Sequence, residues 1–561
     1  MRKLDQWNDA LGRVEKFLVV VMLSVMILLA FLQIVLRNAF STGISWGDPI
    51  VRYLVLWVAF LGASLATKEE KHITIEVFSR WFSETGASYL KLLSQLVSAI
   101  ICGLLTFAGW TFVRNEAQMG GAPLLKIPSW IPEIIIPITF MLMTLRFLIK
   151  FAAALAIILK SGDVICGLAL YLFFLGGIDL SAIIIEMHRM ATTPVLVAIP
   201  LFTFAGYLLS ESGASRRLIR LSNALLGWLP GGLSVIALIS CAVFTALTGA
   251  TGLTIIALGG ILLPAMTRAK YPEIFSLGLL TTSGTLGLLF PPSLPLIIYA
   301  IVAKVRIDQL FIAGLLPGIV LVMLLSAFSI TRAVQTGVPK TRFQVAEVFG
   351  ALREAIWELP LPLVVLGGIY SGKFAVSEAA AITAVYVLLV EVIVYRDIGW
   401  KGLPEIMKKS MVLVGAVLII LGAAMGLTNY LIDAEIPKQI LALFKTHIES
   451  KILFLIVLNL FLLAVGCTMG IFSALVVVVP LLSPIAQAYG IDPIHLGIIF
   501  LANLEIGASI PPLGINLFIA SIRFERPVLR LYVASLPFIA MLLVALALIT
   551  YIPWMSLVLL K

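Results

Sequence analysis

Residues Gly287–Pro292 read G-L-L-F-P-P and residues Gly507–Pro512 read G-A-S-I-P-P, each inside an apolar run long enough to cross a membrane. Proline donates no amide hydrogen and disfavours helical geometry in the residue before it. A Pro-Pro pair preceded by Gly therefore predicts a helix broken at mid-depth. Backbone freed there cannot face lipid and is tolerated only where it is buried in protein or lines a polar cavity. Two such breaks point to one shared site.

The repetition extends upstream. Thr248, Pro264 and Pro291 are separated by 16 and 27 residues, and Thr468, Pro484 and Pro511 by the same intervals, which reads as an internal duplication. Thr248 opens T-G-A-T between two apolar arms, Gly231 to Leu247 and Gly252 to Met266; Thr468 lies in G-C-T-M-G, flanked likewise. The arms are shorter than the roughly 20 residues of a crossing, which predicts re-entrant hairpins. Arg216, Arg217 and Arg220 precede the first hairpin and Arg268 and Lys270 follow it, so both its ends lie on one basic side.

Composition sets the environment. With 61% apolar and 12% charged residues and a mean hydropathy of +1.11, the chain is a polytopic helical membrane protein. Its formal charge of +10 sits mostly in short connections, where it sets topology rather than binding nucleic acid. Cys102, Cys166, Cys241 and Cys467 lie in apolar runs without paired spacing, so neither a disulfide nor a metal centre of their making is expected. Four His without a His-carboxylate cluster leave zinc catalysis unsupported, and no enzyme is expected. The run Phe17–Val35 is too long for a signal core and is expected to stay as a span. Its basic flank, Arg2, Lys3, Arg13 and Lys16, places the N-terminus in the cytoplasm, and the span count then places the C-terminus in the periplasm.

Two units follow. Residues 1–160 hold four spans, near 17–39, 46–66, 88–113 and 131–158, with an amphipathic interfacial segment at Lys68–Phe82. Residues 161–561 hold a first repeat at about 190–331, a connector at 332–357 with an amphipathic helix on the membrane, and a second repeat at about 358–553. A span at 164–179 joins the two units. The charge distribution gives the two repeats inverted topology.

Hairpin tips and breaks rich in Gly, Thr and Ser offer oxygens suited to a hard cation such as sodium, while helix N-termini at the same breaks favour an anion. Together they describe a cation-coupled site for an organic anion at the repeat interface. Candidate solute contacts are Ser293, Asn503, Glu505, Ser509, Pro511 and Pro512. Glu505, in N-L-E-I-G inside a span, is a cation ligand, a proton carrier or the partner of an Arg, and structural pairing is the expected use. Asp492 and Pro493 read as the cap and first turn of a helix.

At this point the residues resemble the tripartite ATP-independent periplasmic (TRAP) transporters, with small and large membrane subunits fused. The resemblance rests on I-P-L-F-T-F-A-G-Y-L-L (Ile199–Leu209), F-T-A-L-T-G-A-T (Phe244–Thr251), S-G-T-L-G-L-L-F-P-P-S (Ser283–Ser293), L-F-I-A-G-L-L-P-G (Leu310–Gly318) and G-I-D-P-I-H-L-G-I-I (Gly490–Ile499). The first unit is similar to the small subunit through its four spans and G-A-S-L-A-T-K-E-E-K-H-I (Gly62–Ile73). The resemblance implies an all-α, inverted-repeat, elevator-type fold of the ion transporter superfamily kind. It also implies sodium-driven import of small carboxylates or sulfonates, delivered by a separate periplasmic binding protein in the bacterial inner membrane. Carried over, the sodium sites fall around Thr248, Gly249 and Thr251 with Gly284, Thr285 and Gly287, and around Thr468 and Gly470 with Gly507. Family large subunits often place Thr before the second Pro-Pro; here Ile510 stands there, with Ser509 one residue earlier.

Competing readings are a stand-alone sodium or proton symporter of the same fold, a membrane enzyme acting on lipid, and a channel. The fused four-span unit opposes the first, the absence of clustered acids, His or Cys opposes the second, and two occluding hairpins oppose the third.

Overall fold

The computed structural model describes residues 2–69, 84–119, 128, 130–158, 185, 188, 193–249, 251–338, 343–433, 435–448, 450–511 and 514–560. The expected span at 164–179, most of the interfacial segment Lys68–Phe82, and Pro512 lie outside them. Among the described residues there is no strand, and 11 helices are long and apolar enough to cross a membrane, or 12 with one bent pair.

In chain order come α1 (Arg2–Phe40), α2 (Gly47–Lys68), α3 (Glu84–Met119), α4 (Ile135–Ile158), α5 (Ala198–Glu211), α6 (Ala214–Leu226), α7 (Gly232–Thr248) and α8 (Thr251–Arg268). There follow α9 (Glu273–Ser283), a 3-10 turn at Leu286–Leu289, α10 (Leu294–Ala303), α11 (Ile307–Gln335), α12 (Val345–Glu354), α13 (Pro360–Tyr370) and α14 (Val376–Leu388), which runs into a π turn at Leu389–Val394. The chain ends with α15 (Leu403–Asp433), α16 (Ile436–His447), α17 (Lys451–Thr468), α18 (Ile471–Ala488), α19 (Pro493–Gly507), α20 (Ile515–Phe524) and α21 (Val528–Tyr551).

The chain divides into two compact units, one of residues 1–200 with 404–430, the other of residues 201–403 with 431–561. In the first, α1, α2, α3 and α4 pack around a buried polar knot. Arg146 on α4 pairs with Glu15 of α1 at 2.6 Å and donates to the Ser64 hydroxyl of α2 at 2.7 Å, and Ser64 donates to Glu15 at 2.7 Å. Each buried charge thus finds its partners, which ties three helices in one register. Helix α15 joins this unit because Gly62 and Gly415 let two backbones approach: a methyl group on Gly415 would lie 2.5 Å from both the Ala59 carbonyl oxygen and the Gly62 carbonyl carbon. Lys16 pairs with Glu405 at 2.5 Å and Lys408 pairs with Glu69 at the same end.

The second unit holds most of both segments read as repeats. Arms α7 and α8 pack as a helical hairpin of 17 and 18 residues, whereas α17 and α18, 18 residues each, touch only lightly. The first broken span is α9 and α10, bent by 46° around Pro291-Pro292, whose linking peptide is cis. On either side of the second Pro-Pro pair lie two shorter apolar helices, α19 and α20. Asp492 caps α19, accepting from the amides of Ile494 at 2.8 Å and His495 at 3.3 Å, with Pro493 in the first turn as expected.

The two repeats interlock. Arm α8 lies along α20 of the other repeat, arm α18 lies along α10, α9 packs on α21 and α19 on α11. Glycines make the first of these contacts: methyl groups on Gly252 and Gly259 would come within 2.7 Å of Ile519 and 2.8 Å of Phe524. On α6, Arg217 pairs with Glu391 at 2.9 Å, Asp397 at 2.6 Å and Glu358, and its guanidinium lies 3.7 Å from the Tyr395 ring centre. Burial alone pulls this arginine toward neutrality, but its hydrogen bonds to Asp397 and Glu358 and the Glu391 charge hold it firmly protonated. Arg220 reaches Glu347 and Glu354, fixing the connector helix α12 on α6. Phe343, Phe349, Ile356 and Trp357 are exposed along that connector.

Candidate functional site

Adding 220 to a residue number in the first repeat gives its counterpart in the second, so the two junctions of hairpin with break can be set side by side. Both depend on a glycine. Gly287 lies directly under α7, where a methyl group would meet the Ala242 carbonyl and the Ala246 amide. Its counterpart Gly507 lies against Gly466, counterpart of Ala246, where a methyl group would come within 2.7 Å of Cα. Only a residue without Cβ allows that approach of backbone to backbone.

The first junction is lined with hydroxyls. Thr245 donates to the Gly284 carbonyl at 2.8 Å and shares a 2.6 Å contact with the hydroxyl of Thr254, all three residues buried. The Thr248 hydroxyl turns back to the Phe244 carbonyl at 2.9 Å, and Thr285 to the Thr282 carbonyl at 3.1 Å. Gly249 turns the tip with a φ of 64° and presses on Leu294, the first residue of α10: a methyl group on Gly249 would lie 2.7 Å from the Leu294 Cβ.

The tip then reaches the other repeat. Thr251 donates to the Asn516 side-chain oxygen at 3.1 Å, and Asn516 donates to the Ser509 hydroxyl at 3.4 Å, all buried. The Asn516 amide also bonds the Ala508 carbonyl at 3.1 Å, which fixes the side chain beside the second break. The structure thus gathers Gly249, Thr251, Gly284, Thr285, Gly287 and Ser509 around one hairpin tip and both breaks. Ser293 caps α10 with its hydroxyl buried and without a hydrogen-bond partner among the described residues.

The second tip is different. Thr468 is exposed, its hydroxyl bonded to the Ala464 carbonyl at 2.9 Å, and Gly470 starts α18 half-exposed. Cys467 is the residue that meets the second break there, its thiol 3.4 Å from the Ile510 carbonyl. Pro511 is half-buried. Asn503 turns away from the break: it donates to Asn459 of α17 at 2.8 Å, Asn459 donates to Thr550 of α21, and His495 completes the string at the Thr550 carbonyl and Ser556.

Glu505 corrects the expectation of a paired residue. It is 0% exposed, and neither carboxylate oxygen has a hydrogen bond or an ion pair among the described residues. The physical reason is its seat on α19. Every residue of α19 from His495 to Gly507 is buried, and Leu504 and Ile506 on either side of Glu505 are apolar.

Sequence reasoning missed Thr245, Thr254 and Asn516. The threonines belong to the same F-T-A-L-T-G-A-T run as Thr248, one helical turn back, and Asn516 is a lone amide in L-G-I-N-L-F. Each carries a signal only once the partner across the fold is known.

Residues 139–555 match the family described as tripartite ATP-independent periplasmic transporter, DctM component, and residues 26–156 match the DctQ component. The C4-dicarboxylate TRAP transporter large permease protein DctM of Pseudomonas aeruginosa is 37% identical over 409 residues, covering 73% of this chain and 92% of that one. The isethionate TRAP transporter permease protein DctMQ of Oleidesulfovibrio alaskensis is 28% identical over 604 residues, covering 98% and 94%. The ectoine/5-hydroxyectoine large permease protein UehC of Ruegeria pomeroyi is 33% identical over 359 residues, covering 64% and 84%. Among solved structures, the YdaH transporter of Alcanivorax borkumensis aligns over 69% of this chain and 89% of that one, with a TM-score of 0.46 and 15% identity.

Proposed function

This chain belongs to the tripartite ATP-independent periplasmic transporter family, carrying both membrane components in one polypeptide, and we infer that it imports small organic acid anions by sodium symport. The solute arrives on a separate periplasmic binding protein. The protein sits in the bacterial inner membrane with its N-terminus in the cytoplasm and its C-terminus in the periplasm, and its two repeats are inverted. The second unit moves as an elevator, its two hairpins re-entrant.

The observation that carries this reading is the buried chain Thr251–Asn516–Ser509, which joins the tip of one repeat's hairpin to the helix break of the other. A site assembled from both repeats changes shape when the repeats move, as alternating access requires. Sodium is assigned to the oxygens around Thr248, Gly249, Thr251, Gly284, Thr285 and Gly287, and around Thr468, Gly470 and Gly507. The solute carboxylate or sulfonate is assigned to Ser293, Ser509 and Pro511, near the starts of α10 and α20, where helix N-termini favour negative charge; Asn503, turned toward Asn459, leaves the expected set. Relatives named for C4-dicarboxylates, isethionate and ectoine support a small, polar organic solute.

The test is uptake into proteoliposomes holding the purified protein, with its binding protein outside and C4-dicarboxylates and isethionate as radiolabelled solutes. Uptake that needs both an inward sodium gradient and the binding protein is expected. Uptake that persists without the binding protein, or that potassium drives equally well, contradicts the reading.

A further inference from the structure

The second break holds an ionisable group that no hydrogen bond satisfies among the described residues. Glu505 on α19 is wholly buried, and both its carboxylate oxygens are without partners among the described residues. Its counterpart Thr285 in the first repeat has its hydroxyl satisfied by the Thr282 carbonyl. The main chain adds to the imbalance. The Ser509 amide bonds the Ile506 carbonyl at 2.9 Å, one residue short of its helical partner, so it does not take up the Glu505 carbonyl. Leu504 and Ile506 beside it are fully buried and apolar. A bare carboxylate in such a place is held only against an opposite charge or a proton.

We propose that Glu505 is a side-chain ligand for one small monovalent metal cation, sodium in the working cycle, its carboxylate and main-chain carbonyl supplying the hard oxygens such an ion takes. This rests on the sodium-coupled reading and deepens it. The cation seat assigned around Thr468, Gly470 and Gly507 gains a carboxylate from the second broken helix. Glu505 also leaves the set of solute contacts, where its charge would oppose an organic anion until the cation is bound. The order of loading follows: cation first, solute second.

Two measurements test it. The first is equilibrium binding of radioactive sodium to detergent-purified wild type and Glu505→Gln, without solute. The expected result is one sodium fewer per protein in Glu505→Gln, whose Tm in sodium-free potassium buffer at least equals that of wild type because no buried charge is left uncompensated. The second uses wild type alone and so does not depend on the variant's folding. The apolar carbodiimide dicyclohexylcarbodiimide labels buried carboxyl groups, and mass spectrometry of the peptide that contains Glu505 is expected to show labelling several-fold lower in sodium than in potassium. Equal sodium binding by the two proteins, or equal labelling in the two salts, overturns the proposal while leaving sodium coupling intact. A wild type that binds no sodium overturns both.

Discussion

The two junctions of hairpin and broken helix share one spacing of Thr, Gly and Pro and hold different chemistry. At Gly287 and Gly507 they agree, because backbone must approach backbone and no Cβ fits. At the polar positions they part: Thr245, Thr254 and Thr251 correspond to Val465, Ala474 and Ile471, while Leu289, Leu296 and Thr285 correspond to Ser509, Asn516 and Glu505. The first repeat alone has these three threonines on its hairpin, and the second alone has Ser509, Asn516 and Glu505 on its broken helix. Because α8 lies along α20, these two sets meet, and Thr251 finds Asn516. The close packing is duplicated; the chemistry is shared out between the copies.

The flanking amphipathic helices sharpen the same contrast. Helix α6 is locked by Arg217 against three carboxylates, whereas on its counterpart α16 Lys438 pairs with Glu435 only in an exposed contact. Replacing Arg217 by Ala leaves Glu358 and Glu391 buried and unpaired, and is expected to cost about 3–5 kcal/mol in thermal unfolding. Lys438→Ala is expected to change stability by no more than about 1 kcal/mol. Similar costs for the two variants would break the comparison.

Next in size are Gly287→Val and Gly507→Val. Each drives a branched side chain into backbone that cannot give way, with an expected cost of about 1–3 kcal/mol or more and loss of uptake. A transport-competent Gly507→Val would show that the second junction is not closely packed in the working protein. Smaller again is Thr245→Val, which strips the Gly284 carbonyl and the Thr254 hydroxyl of their partner and is expected to cost about 1–2 kcal/mol. The reverse change, Val465→Thr, is expected to cost less, since a helical Thr can bond its own turn as Thr468 does. Equal effects of these two variants would dissolve the asymmetry between the junctions.

The smallest expected effect concerns pH. Exposed Glu347 accepts a hydrogen bond from Arg220, and that bond and the guanidinium charge hold its carboxyl below the usual glutamate range. A depressed folded value contributes stability above the unfolded pKa of about 4.3, which is lost as pH falls through the folded value. Wild type is therefore expected to lose slightly more Tm than Glu347→Gln between pH 5 and pH 3, values set by that window. Parallel pH curves would show that the connector helix is held by other contacts.

Much of this fold was legible because its signals are local. The duplicated Pro-Pro pairs, the glycines before them and the Asp492-Pro493 helix start act within a few residues, and their effect on the backbone does not depend on distant partners. The site was legible only in part. Thr251 and Asn516 stand 265 positions apart, so no spacing rule links them. Glu505 read as half of a pair because intramembrane charges usually are, and only the packed fold shows it wholly buried with no partner among the described residues. The place of α15 beside α2 turns on Gly62 and Gly415, two glycines whose sequence contexts carry no mark of each other.

The most direct test of a cation site built at these junctions needs no solute. Thermal unfolding of the purified protein is followed as potassium is replaced by sodium at constant ionic strength, in wild type, Thr248→Ala and Thr468→Ala. A ligand that binds only the folded state stabilises by about 2.7 kcal/mol at one hundred times its dissociation constant, which is readily measured. The account predicts a sodium-specific rise in Tm that is weakened in both variants, more in Thr248→Ala, whose hydroxyl is buried, than in Thr468→Ala. An unfolding curve that is the same in sodium and in potassium would contradict it.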